Sequence, residues 1–159
     1  MNPLVVNLIL AFCWSAVTGD FSAGGLMTGL VFGFLALWIA NPLVGLEQSY
    51  FRRVYRVARL TVYFFWELLL SSVKVAVDVL RPVPRNTPRI ITVPLDVETD
   101  MEILTFTNLI SLTPGTLSVD VTEDRRELIV HAMFADDPEA EVANLKSGME
   151  RMVLEAFRP

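Results

Sequence analysis

The chain has 159 residues, 53% of them hydrophobic and 19% charged, with a net charge of −5 and one cysteine, enough for one small soluble domain and a few membrane segments. Its charge is unevenly divided: residues 1–85 carry seven basic against four acidic side chains, +3, and residues 86–159 carry six against fourteen, −8. So acidic a soluble part argues against nucleic-acid binding, which depends on neutralising phosphates, and a lone Cys13 excludes a disulfide framework or a CxxC metal site.

Residues 1–46 read as a transmembrane helical hairpin. Pro3 to Thr18 is apolar but lacks the basic leader and cleavage site of a signal peptide, and a second apolar run, Leu26 to Leu46, follows a brief Gly-rich turn. Gly25, Gly29 and Gly33 recur every four residues and line one face of the second helix. Asn7, Ala11, Ser15 and Thr18 form a comparable small, polar face on the first. Such faces let helices approach closely where lipid gives no hydrophobic drive to association. Two readings stay open: the faces pack on each other, or one of them docks a neighbouring subunit.

Residues 47–81 read as an arginine-bounded helix, with Arg52, Arg53, Arg56 and Arg59 at one end and Arg81, followed by Arg85 and Arg89, at the other. Leu60 to Leu80 is long enough to span a bilayer. Yet Arg56, Tyr63, Glu67, Ser71, Lys74, Asp78 and Arg81 fall in a stripe about 80° wide on an otherwise apolar helix. A crossing would strand one arginine cluster outside, against the preference of basic residues for the cytoplasm. The charge rule therefore favours a helix in the plane of the interface, with two crossings before it and a cytoplasmic C-terminal domain. A third span with its seam buried against other subunits is the competing arrangement, and it would make Glu67, Lys74 and Asp78 candidates for an ion or proton path.

Three prolines in residues 82–88 (Pro82, Pro84, Pro88) make a stiff linker. From residue 89 to 159 the pattern is soluble α+β. Arg89–Leu95 reads as a strand, and Thr99 with Glu102 as a capping box opening a helix that buries Ile103, Phe106, Leu109 and Ile110. Thr116–Thr122 alternates, with Leu117, Val119 and Val121 on one side. It pairs across a polar turn with Glu127–Met133. Asp137 and Pro138 start a last helix burying Val142, Leu145, Met149, Val153 and Phe157. The order β-α-β-β-α is a ferredoxin-like plait lacking its last strand.

No catalytic constellation, cofactor motif or metal site emerges. The one histidine, His131, sits in strand register without a nucleophile and orienting partner, and the acids Asp136, Asp137, Glu139 and Glu141 suit a helix N-terminus. The chain is expected not to be an enzyme.

Asn108-Leu-Ile-Ser-Leu-Thr113-Pro114-Gly115-Thr116, followed by a strand carrying His131, resembles the signature of the E subunits of multisubunit Mrp-type (Mnh or Pha) Na⁺/H⁺ antiporters. The resemblance extends over the hairpin and the arginine-bounded helix. It implies a non-catalytic, multi-pass component of a cell-membrane complex exchanging Na⁺ for H⁺, with other subunits and lipid as partners. A membrane-tethered scaffold unconnected with ion exchange is the alternative.

Overall fold

The computed structural model describes residues 2–44, 48–83 and 86–158. The expected end of the hairpin at Leu46, the start of the next segment at Glu47, and Pro84 and Arg85 of the linker lie outside the described residues. The chain divides into two compact units, residues up to Val54 and residues from Tyr55 onward.

In the first unit, α1 (Pro3–Thr18) is capped by the Asn2 side chain, has Pro3 in its first turn, and ends at Gly19, whose φ of 69° is the left-handed region open to glycine. The hairpin partner α2 runs Ala23–Val44. Asn7, Ala11 and Ser15 are buried. Gly29 lies so close to α1 that a Cβ there would sit 2.8 Å from the Ala11 carbonyl oxygen, and one at Gly33 would overlap the Asn7 amide oxygen. The Asn7 amide nitrogen donates to the Tyr50 hydroxyl at 2.9 Å. Within this unit the glycine stripe and the small polar face thus meet each other. Gly25 is different, because a Cβ there would meet the Asp20 backbone of the interhelical turn.

The next helix, α3, is one continuous run from Gln48 to Val79. At 1.5 Å per residue its 32 residues extend about 48 Å, and its residues from Tyr55 belong to the second unit.

That unit also holds β1 (Arg89–Pro94), α4 (Asp100–Leu112), β2 (Thr116–Val121), β3 (Glu127–Ala132), α5 (Pro138–Leu145), a π-helical turn (Lys146–Glu150) and α6 (Arg151–Phe157). The three strands form an antiparallel sheet in the order β1-β3-β2, with Ile91 opposite Val130 and Val93 opposite Leu128. One face is covered by α4 and by the α5–α6 segment, which enclose Val93, Phe106, Ile110, Leu128, Val130 and Val153. Both halves of the capping box at Thr99 and Glu102 are formed, and the Asp137 side chain caps α5.

Two expectations are corrected. Leu117 and Val121 do not share a face of β2, because a bulge between Ser118 and Asp120 places an extra residue, Val119, in that strand. Leu117 therefore lies on the open face opposite His131, while Val121 opposes buried Leu128 and packs on the core. In the last helix the buried stripe ends at Ala156, and Phe157 is 38% exposed.

Candidate functional site

The polar stripe of α3 meets the second unit's own α+β layers. At its start Arg56 donates to the Arg158 carbonyl (2.6 Å) and Arg59 pairs with Glu155 (2.8 Å). One turn on, Leu60 enters the hydrophobic core and Tyr63 packs beside it. Gly148 of the π turn lies against Tyr63, where a Cβ would overlap its hydroxyl. Further along, the Lys74 ammonium lies 5.4 Å from the centre of the Phe134 ring. Asp78 is buried and accepts from the Asn86 amide at 3.1 Å.

The opposite side of α3 presents Val62, Phe65, Trp66, Leu69 and Val73, all more than half exposed. These residues fall within about 100° of arc. From Leu60 to Leu80 every charged residue of the helix lies on the domain-facing stripe. A helix so divided has one side for protein and one for a greasy surface.

The signature turn closes the space above the stripe. Thr113 is buried, and its hydroxyl donates to the Leu109 carbonyl (2.8 Å), while the Thr116 hydroxyl donates to the Ile110 carbonyl (2.8 Å). Together they bond carbonyls of the last turn of α4, where the Ile110 carbonyl also accepts from the Thr113 amide at 3.1 Å. Gly115 has a φ of 94°, and its carbonyl accepts from the Met133 amide at 2.7 Å. Pro114 and Gly115 thereby turn the chain from α4 into β2.

A cavity of about 580 Å³ separates this turn from α3, lined by Tyr63, Glu67, Ser71 and Lys74 on one side and by Thr113–Thr116 and Phe134 on the other. The structure thus brings two of the candidate ion-path residues, Glu67 and Lys74, together with the signature turn. Asp78 lies instead along a neighbouring groove. Asn108 is exposed on α4, and His131 is exposed on the open face of the sheet between Ile90 and Leu117. Gly25, Gly29, Gly33, Asn7 and Ser15 belong to the other unit.

One buried acid, Glu150, has no role in the sequence reading, and a second, Glu102, has only its capping role there. Glu150 is 1% exposed and accepts from the backbone amides of Asp96 (2.6 Å) and Val97 (3.3 Å) and from Lys146 (2.8 Å). Burial pulls the Lys146 pKa down, but Glu150 and Asp96 outweigh it and hold the ammonium above the ordinary lysine range. The i,i+4 spacing of Lys146 and Glu150 was the available signal. Glu102 serves beyond its capping box: Arg158 bonds it, as do the amides of Glu98 and Thr99, and its pKa is lowered to about 2, chiefly by the Arg158 hydrogen bond. Nothing local in the sequence links residues 102 and 158.

The family model described as "Na+/H+ ion antiporter subunit" matches residues 7–156. The chain belongs to this Na⁺/H⁺ antiporter subunit family. Among its relatives, the E1 subunit of the Na(+)/H(+) antiporter of Staphylococcus haemolyticus is 32% identical over 96% of this chain and 95% of its own length. The E subunit of the Bacillus subtilis antiporter is 33% identical over 98% of both. A chain in the structure of the Mrp complex from Dietzia sp. DQ12-45-1b superposes with a TM-score of 0.52 at 31% identity, covering 65% of this chain and 97% of that one. A chain of the membrane-bound sulfane sulfur reductase, an archaeal respiratory membrane complex, shares the fold with a TM-score of 0.60 at 22% identity over 98% of this chain. As a member of the antiporter subunit family, the protein is similar to these E subunits along nearly its whole length, so the resemblance carried by Asn108–Thr116 extends to both units.

Proposed function

We propose that this protein is a non-catalytic, membrane-anchored assembly subunit of a multisubunit Na⁺/H⁺ antiporter. Its hairpin crosses the cell membrane, α3 lies in the plane of the cytoplasmic interface, and its truncated ferredoxin-like domain sits above α3 in the cytoplasm. The observation that carries this reading is the two-sidedness of α3. Its charged stripe is engaged by the chain's own α+β domain from Arg56 to Lys74 and by Asn86 of the linker at Asp78, and its exposed side is apolar. Were α3 to cross the bilayer, the polar surface of that domain would be drawn into hydrocarbon with it, where unsatisfied polar groups cost several kcal/mol each. The sheet order β1-β3-β2 supports the ferredoxin-like assignment, since it is what such a plait leaves when its last strand is removed. Family membership favours a part in ion exchange over a tether unconnected with it.

On this reading Glu67, Lys74 and Asp78 seat the domain on α3 and line no transmembrane path. Partner subunits supply that path, because two crossing helices cannot enclose one. Antiport measured in vesicles holding the assembled complex is the test. Glu67→Gln is expected to leave Na⁺/H⁺ coupling unchanged with the complex intact, and abolished exchange in a fully assembled complex would refute the assignment.

A further inference from the structure

The two outer edges of the sheet are finished differently. On β2 the amides that face away from β3 all have acceptors. The Thr116 amide donates to the Thr113 carbonyl (3.2 Å), that of Ser118 to the Ser111 hydroxyl (3.1 Å) and that of Val121 to the Asp120 carboxylate (2.8 Å). The bulge at Val119 interrupts the same edge, and such devices keep an edge from pairing with another chain. On β1 the pairing with β3 runs in unbroken register from Arg89 to Pro94. The Leu95 amide donates to the Arg126 carbonyl at 2.8 Å. Alternation along an antiparallel ladder then turns Arg89, Ile91 and Val93 toward β3, and Ile90, Thr92 and Pro94 away from it. Pro94 has no N–H, and its carbonyl accepts from the Lys146 ammonium at 2.6 Å. Pro88, just before the strand, has no N–H either. Between these prolines the outward amides and carbonyls of Ile90 and Thr92 have no partner among the described residues, and both residues are exposed.

Donors and acceptors alternating along one line are matched by the backbone of an extended chain, the mode in which a peptide adds a strand to a sheet. We propose that β1 receives, by strand addition, a short extended segment of a partner polypeptide, uncharged opposite Ile90 and Thr92 and bordered by Lys or Arg. Ile90 and Thr92 are themselves uncharged, so a charged residue opposite them would gain nothing. Residues 86–159 carry six basic and fourteen acidic side chains, −8, which attracts basic flanks and opposes the approach of a second copy of the same domain. The prolines confine the added strand to the few residues between them. The inference rests on the assembly reading, in that the segment belongs to another subunit, but it does not depend on how α3 lies in the membrane.

Residue-resolved amide exchange, compared between the full-length chain in detergent and the assembled complex, tests it. The Ile90 and Thr92 amides are expected to exchange about tenfold more slowly in the complex, while Ser118 and Val121 exchange equally in both. Thr92→Pro removes one free donor, and Ile90→Lys sets a charge on the edge without touching the backbone. In complexes built with either variant, the slowing at the remaining edge amide should disappear, with the melting temperature of the lone Ile90→Lys chain unchanged. A photoreactive benzoylphenylalanine at Thr92 should capture, in the complex, a peptide of another subunit bordered by Lys or Arg. Slowing that survives both variants would overturn the proposal. So would capture of this chain's own β1, or slowing in the lone chain that grows with its concentration, since each identifies a second copy as the occupant. A complete complex in which Ile90 and Thr92 exchange as in the lone chain sinks the edge alone, whereas failure of any other subunit to accompany the parent chain sinks the assembly reading with it.

Discussion

Gly115 turns α4 into β2 at a φ of 94°, a conformation in which any Cβ is strained even though the nearest side-chain atoms, of Phe134 and Val75, leave ordinary room for one. Gly115→Ala is expected to destabilise the protein by about 1–2 kcal/mol, read as a lower melting temperature of the purified chain. Gly24, in open surroundings next to Ser22, serves as the control and should tolerate alanine. Glu102 sets the response to acid. Its pKa is about 2 in the folded protein against 4.5 for the ordinary glutamate. The stability it contributes is therefore complete above pH 4.5 and is lost as pH falls from there toward 2. In Glu102→Gln the melting temperature should be lower at neutral pH, but its decline across that window should be shallower than in the parent.

Elements were legible in the sequence where local chemistry decides them. The capping box at Thr99 and Glu102, the Asp137–Pro138 start of α5 and the Pro114-Gly115 turn each depend on neighbours a few residues apart, and each is found as read. The bulge at Val119 was not legible, because Leu117, Val119 and Val121 alternate as a regular strand would. What decides their faces is the pairing with β3, not their own order. The π turn was hidden for a similar reason: it brings Gly148 against Tyr63 of α3, a contact between residues far apart in sequence. That contact makes a prediction at this scale. Gly148→Ala forces a methyl group toward the Tyr63 hydroxyl and should cost about 1–3 kcal/mol as overpacking, seen as faster amide exchange around Tyr63 in α3. Tyr63→Phe, which removes the hydroxyl, should restore protection in the double variant. Gly29 offers the parallel case in the hairpin. Gly29→Leu would drive a side chain into the Ala11 backbone, and it is expected to leave α1 and α2 separable, so that a Cys pair placed across them no longer cross-links.

At the scale of the molecule, the stripe from Arg56 to Arg81 could be found by spacing alone, but its occupant could not. Periodicity shows that a polar face exists, while only the fold shows that the same chain's α+β layers meet it from Arg56 to Lys74. The small core of that domain, one sheet with a single helical layer, draws Leu60 and Tyr63 of α3 into its packing, as small domains short of buried surface require. On the proposed reading, a helix that packs on the α+β layers with one side and exposes Phe65, Trp66 and Leu69 on the other lies at the boundary between water and lipid. The in-plane arrangement proposed for α3 requires both of its ends to lie on the same side of the membrane. Single cysteines at Arg53 and Val83, in a Cys13→Ser background, can be probed with a membrane-impermeant maleimide in oriented vesicles of the assembled complex. Both positions are expected to label in inside-out vesicles and neither in right-side-out vesicles, whereas labelling of the two from opposite sides would contradict the account.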